Sequence, residues 1–200
     1  MIQNIRQKAC GKRSLMLLLC AVFSILTVLC CFSPVHAQSD SRLLQIKAAF
    51  TYRFLLFTKW PEQTSPASDE VIRIGVVDNH VFAALFEKMS SNQGANKKKI
   101  VVQFLDDSAT ADDFRRCRLL YISASAADRS NEILQQVAGY PVLTVSDMDS
   151  FVEVGGMIHL TTQQNRIRFV INRSRANDVE ISFNAQMLKL ATTVIEVDNE

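Results

Sequence analysis

The stretch Val71-Ile72-Arg73-Ile74-Gly75-Val76-Val77 decides how this chain folds. Arg73 is its one polar residue, and most of the others are β-branched. A strand with one wet face would alternate apolar and polar residues. A run that is apolar at both parities of the pleat fits an inner strand covered on both faces. Asp78-Asn79 follow as caps for a helix running through Met89, with Phe82, Leu85, Phe86 and Met89 turned inward. The same strand-then-helix unit recurs downstream. Strands are predicted over 100–105, 119–123 and 142–145, and helices over 111–116 and 128–138, the last stopped by Gly139. This alternation predicts an α/β fold: a single-domain three-layer sandwich with a mostly parallel central sheet flanked by helices.

The two ends of the domain break the pattern. Upstream, Leu43, Ile46, Phe50, Phe54 and Phe57 recur every three or four residues, which predicts a helix over 41–59 ended by Trp60-Pro61. Downstream, strands are predicted over 157–162 and 166–171, opened by Gly155-Gly156. With Gln164-Asn165 as the turn, Leu160 falls opposite Phe169 and Ile158 opposite Ile171, so the apolar faces agree in a C-terminal antiparallel hairpin. A last helix is predicted over 184–191.

Composition is uneven along the 200 residues. Residues 1–37 hold Arg6, Lys8, Lys12 and Arg13, no acidic residue, and four of the five cysteines. The remaining 18 Lys and Arg stand against 20 Asp and Glu, so the net charge of +2 becomes −2 for residues 38–200. A basic start, an apolar stretch over 14–31 and Val35-His36-Ala37 form the layout of a secretory signal cleaved after Ala37. The domain boundaries are therefore 1–37 for the signal and 38–200 for the α/β domain, with a periplasmic location. An uncleaved inner-membrane anchor is the other reading, since a span needs roughly 20 apolar residues. The chain is too apolar for disorder, too poor in cysteine for a disulfide scaffold, and too weakly basic for nucleic-acid binding.

Catalytic signatures are missing. The sequence has no G-x-S-x-G, no G-x-G-x-x-G, no Walker loop, no C-x-x-C and no H-x-x-x-H. No enzyme activity, cofactor or metal is expected. The aspartate pairs 106–107 and 112–113 read as turn and cap residues. Cys117, a lone thiol between a helix and a strand, reads as buried, with a redox or intermolecular role as the alternative. Two constellations remain. Arg53, Phe54, Phe57, Lys59 and Trp60 carry more aromatic surface than one buried stripe needs, which either core packing or a partner-binding patch explains. His159, Arg166 and Arg168 fall on the outward face of the hairpin, which is either a solvated sheet face or a face for an anion or an acidic partner.

Lys47-Ala48-Ala49-Phe50-Thr51-Tyr52-Arg53-Phe54, followed by Phe57-Thr58-Lys59-Trp60-Pro61, resembles the opening motif of the YfiR-like family (DUF4154) of secreted bacterial proteins. Arg73 to Val76, Cys117 to Ser123, Pro141 to Asp147, Gly155 to Ile158, Arg168 to Asn172 and the closing Ile181-Ser182…Met187-Leu188-x-Leu190-Ala191 also match, in order, across about residues 43–191. The resemblance implies a periplasmic regulator, a homodimer, that represses an inner-membrane diguanylate cyclase by binding its periplasmic sensor domain. It further implies release by an outer-membrane lipoprotein, and control of cyclic-di-GMP and biofilm formation. Two departures stand out. Relatives carry several cysteines in intramolecular disulfides, whereas Cys117 has no second thiol after residue 31. Arg53 stands where Asn is usual and Lys59 where an acidic residue is common. A periplasmic small-ligand binder serving a histidine kinase or a transport system is the alternative, with a site outside the carboxyl ends of the parallel strands near 78–79, 106–107, 123–124 and 146–147.

Overall fold

The computed structural model describes residues 36–61, 71–91, 99–164 and 166–196, with side chains from residue 41. Most of the expected export signal, and residues 62–70 and 92–98, lie outside the described residues. No helix among those described is long and apolar enough to cross a membrane. Residues 42–200 form one compact unit.

In chain order the elements are α1 (His36–Phe57), β1 (Thr58–Lys59), β2 (Val71–Val77), α2 (His80–Ser91), β3 (Lys99–Leu105), α3 (Ala111–Arg115) and β4 (Leu119–Ile122). A 3-10 turn (Ala124–Arg129) leads into α4 (Ser130–Gln136), β5 (Leu143–Ser146), β6 (Ile158–Gln163) and β7 (Arg166–Asn172). The chain closes with α5 (Arg173–Asn177), β8 (Ser182–Phe183), α6 (Ala185–Leu190) and β9 (Thr193–Ile195). Seven strands form one sheet in the order β3-β2-β4-β5-β6-β7-β9. All neighbours are parallel except β6 and β7. The expected α/β sandwich with a hairpin is the observed fold.

Each face of the sheet has its own core. Ile74, Val76, Leu119, Tyr121, Leu143 and Val145 point to one side, beneath Ala48, Tyr52, Phe54 and Leu55 of α1 and Phe82 and Phe86 of α2. The Tyr121 ring stacks on Phe82 at 3.9 Å and 8°. Val77, Leu120, Ile122 and Val142 point to the other side, beneath Phe114 of α3 and Ile133 and Leu134 of α4. This is why VIRIGVV is apolar at both parities. No residue of β6 or β7 belongs to the second core. The hairpin is covered on one face only, which explains its cleaner alternation. Its register is the one expected, with Leu160 opposite Phe169 and Ile158 opposite Ile171.

Several elements differ from expectation: α1 begins at His36 where 41 is expected, a 3-10 turn replaces the start of the helix expected over 128–138, and α5, β8 and β9 are not predicted. The first helix ends at Phe57, two residues early, because Thr58 and Lys59 pair with Phe183 and Ser182. The Asn184 amide donates to the Phe57 carbonyl and the Thr58 hydroxyl to that of Phe54, so chain ends meet at the helix terminus. The sheet also extends to β9, which runs parallel to β7. Three residues give too short a pattern to read from sequence.

Two glycines sit where a side chain does not fit. A Cβ on Gly75 would lie 2.6 Å from Leu105 Cδ1 and 2.9 Å from Cys117 Sγ. A Cβ on Gly156 would lie 2.2 Å from the fully buried ring of Phe151. Forcing such contacts into a packed core costs roughly 1–3 kcal/mol. Gly156→Ala is therefore expected to lower the free energy of unfolding by that amount, seen as a lower urea midpoint with the slope unchanged.

Candidate functional site

Helix α1 lies across one face of the sheet and is fixed at two points, at Lys47 near its middle and at its carboxyl end. At the carboxyl ends of the parallel strands, Lys47 Nζ donates to Asp147 Oδ2 at 2.6 Å, both side chains largely buried. The other oxygen of Asp147 accepts from the Ala124 amide at 3.2 Å. The Tyr121 hydroxyl is buried nearby. Burial, then the charge of Asp147, drive its pKa upward. At the other end, Trp60 packs on the core under the guanidinium of Arg118, 5.4 Å from its ring. Lys47 and Asp147 belong to two separate matching motifs, and the structure brings them into contact. Sequence reading passed over their pairing, since nothing local links positions 100 residues apart.

This geometry divides the aromatic constellation. Phe54 is 2% exposed and meets Phe169 edge-on at 4.9 Å, so the expectation that it touches a partner is corrected: it is core. Phe57 and Trp60 are half-buried against that core. Arg53 and Lys59 are exposed. Between them in sequence stands Leu56, 54% exposed and overlooked in the sequence. Its signal was available: Leu56 falls off the buried stripe and three residues after Arg53, on the same helix face. The surface offered by this end of α1 is thus Arg53 and Leu56, with Lys59 and the edge of Trp60 following.

The hairpin constellation is brought together as expected. His159 pairs across the strands with Val170, Thr161 with Arg168 and Gln163 with Arg166. Arg166 and Arg168 are exposed, and His159 is half-buried. Burial lowers the pKa of His159 below its usual 6.5, against the opposing pull of Asp149, Asp147 and Glu153.

Other candidates resolve into structural roles. Asp113 closes a capping box with Thr110, and Asp106 accepts from the amide and hydroxyl of Ser108. Asn79 caps α2 by accepting from Phe82. Cys117 is buried, and its thiol donates to the Asp113 carbonyl at 3.2 Å. Burial, then the charge of Asp113, push its pKa up to about 12. The strand ends that a small ligand would need are engaged with each other. Arg129 bridges Asp78 at 2.7 Å and Asp107 at 3.0 Å, while the Ser125 hydroxyl donates to the Asp78 carbonyl and the Ser125 amide to the Ser123 hydroxyl. Ser146 donates to the Ile122 carbonyl. A cavity of about 110 Å³ beside Tyr140, Met157 and Arg175 is smaller than the roughly 300 Å³ at which ligand pockets begin, whereas an open cleft of about 410 Å³ along α1, lined by Arg42, Gln45, Ile46, Ala49, Phe50 and Arg53, is not. Among the described residues no three His, Cys, Asp or Glu side chains gather as a metal site.

The chain belongs to the YfiR/HmsC-like family (DUF4154), which matches residues 44–192. This is a family of periplasmic regulators, and it is not a catalytic one. No curated protein sequence matches. Among solved structures, a conserved domain protein from Vibrio cholerae O1 biovar El Tor superposes with a TM-score of 0.56 at 14% identity, over 76% of this chain. The chain spans 60% of that protein's length, and the likeness is one of fold. The ABC domain from Streptococcus pneumonia, in complex with L-Trp, gives a TM-score of 0.47 at 14% identity over 64% of this chain and 56% of its own.

Two solution properties follow. The neutral form of His159 is favoured by folding, so the unfolded chain protonates first as pH falls. Stability from this group is present above pH 6.5 and is lost as pH drops through the lowered folded pKa. Urea midpoints measured between pH 7.5 and 5.5 should fall for the wild type, and fall less for His159→Gln. Cys117 should resist a thiol reagent at pH 8 until the protein is unfolded, and reductant should leave the melting temperature unchanged.

Proposed function

We propose that this protein is a periplasmic repressor, exported by residues 1–37, that binds the periplasmic sensor domain of an inner-membrane diguanylate cyclase and holds the cyclase inactive. Cyclic-di-GMP and biofilm formation stay low until an outer-membrane lipoprotein draws the repressor away. The observation that carries this reading is membership of the regulatory family over residues 44–192. The exposed end of α1 supports it from the chain's own chemistry, because Arg53, Leu56 and Lys59 offer an apolar centre between two cations.

Repression of this kind is a difference of affinities. A binder that held both sensor states equally well would change nothing. Moving a sensor from 1:99 to 99:1 takes about a 10⁴-fold preference for the inactive state. Two cations beside Leu56 suit a partner surface with carboxylates around an apolar pocket.

The test is binding of the purified exported protein to the sensor domain, together with cyclic-di-GMP levels in cells. Leu56→Ala with Arg53→Glu is expected to weaken binding at least tenfold and raise cyclic-di-GMP, with an unchanged unfolding midpoint. Phe54→Ala serves as the contrast: truncating a buried Phe costs about 3–5 kcal/mol, and its binding loss should follow its folding loss. If the surface variant binds the sensor like wild type, α1 is not the contact.

A further inference from the structure

A helix that covers a sheet with one face ordinarily carries polar residues on the other. Helix α1 departs from this. At about 100° per residue, the fully buried Thr51 marks the middle of the covered face. Arg42, Ile46, Ala49, Arg53 and Leu56 fall within about 40° of the opposite line. Their spacing of four, three, four and three is the repeat of a seam along which two helices pack. Ala49 is the smallest residue on this line and lies at its centre, where a short side chain lets a second helix axis come close. Ile46 and Ala49 are half-buried, Leu56 is 54% exposed, and Arg42 and Arg53 are exposed. The open cleft of about 410 Å³ follows the line from Arg42 to Arg53.

Charge narrows what can lie on this seam. Residues 41–59 hold four cations and no carboxylate. Lys47 is engaged by Asp147, which leaves Arg42 and Arg53 on the seam. They stand eleven residues apart, about 16 Å along the axis, with Ile46 and Ala49 between them. A second copy of α1 laid antiparallel would set Arg42 against Arg53 twice, and laid parallel would set each arginine against itself. Like charges facing each other oppose both arrangements. A bilayer takes a helix by a broad apolar face, whereas this apolar line is narrow and broken by Arg53. An extended segment gains no ladder here, because strand addition needs a sheet edge.

We propose that the outer face of α1 is a docking seam for a helix of the partner. That helix presents apolar residues at three- and four-residue spacing and two carboxylates eleven residues apart. Arg42 and Arg53 hold the carboxylates at the rim, with their stems laid along apolar surface, while Ile46, Ala49 and Leu56 bury the apolar line. This rests on the reading that α1 faces the partner, and it specifies what the partner brings: an acidic, amphipathic helix.

The probe is a side-chain-stapled helical peptide of about three heptads, with leucines along one seam and two glutamates on that seam eleven residues apart. Its twin carries lysines in place of the glutamates. Both are titrated by fluorescence anisotropy against the protein recovered after export. The glutamate peptide should bind, and the lysine twin at least tenfold more weakly. Arg42→Glu with Arg53→Glu should reverse that order. Ala49→Arg should weaken the glutamate peptide at least tenfold at an unchanged urea midpoint, and the arginine pair decides the matter if that variant does not fold. The same variants are then titrated against the sensor domain, so that the two readings fail separately. A sensor bound equally by wild type and every variant sinks the seam and leaves the repressor reading standing. Peptides that behave as stated beside a sensor that does not bind sink the repressor reading and leave the seam standing. The proposal is overturned by a glutamate peptide that does not bind, or by a charge reversal that changes nothing. Capture of phosphatidylglycerol vesicles, or self-association, that Ala49→Arg abolishes overturns it equally.

Discussion

The structure depends on how α1 is held across the sheet. One core cannot form without it, because Ala48, Tyr52, Phe54 and Leu55 supply the cover for β2, β4 and β5 on that face. Hydrophobic burial alone would let a helix slide or rotate, since it is non-directional. Two directional contacts prevent this. Lys47 and Asp147 meet at 2.6 Å at the carboxyl ends of the strands. At the other end, Thr58 and Lys59 pair with Phe183 and Ser182. Between Lys47 and Phe57 the helix rises about 15 Å, near the length of the four-residue strands beneath it. The ion pair fixes position along the sheet, and the β1–β8 pairing fixes where the helix must end.

Exposure follows from that placement. With Phe54 and Leu55 committed to the core, rotation of the helix is set, and Arg53 and Leu56 must face solvent. The same rotation keeps Phe57 and Trp60 at the rim, half-covered. An exposed leucine flanked by cations is unremarkable alone, because folded surfaces carry much apolar area. Its weight comes from rigidity. Backbone held at two points loses little freedom on binding, which lowers the entropic cost of association.

Much of the fold could be read from residues close together in sequence, and what could not be read depended on distant partners. The apolar run 71–77, the caps at Asn79 and Asp113 and the hairpin register all rest on local pattern, and all stand in the structure. The end of α1 does not, because nothing near Thr58 announces that Phe183 will claim it. The same limit governs the candidate site. His159, Arg166 and Arg168 share a face because strand alternation puts them there. Phe54 could not be sorted from Arg53 by composition, since an aromatic-rich helix end serves a core or a contact equally well. Only the rotation of the helix on its core, with Phe54 and Leu55 turned inward, separates them.

The lone thiol shows how the same stability arises without a covalent link. The resemblance implies disulfides in relatives, yet Cys117 lies buried against Gly75 and hydrogen-bonded to Asp113. Its sulfur fills the space that Gly75 leaves by having no Cβ, so it acts as a small apolar side chain of that core. A disulfide would constrain the unfolded chain; here the long-range constraint comes from the native contacts 47–147 and 58–183. Those contacts form only with the fold and respond to charge, not to redox state. A regulator held this way is insulated from oxidants at its core.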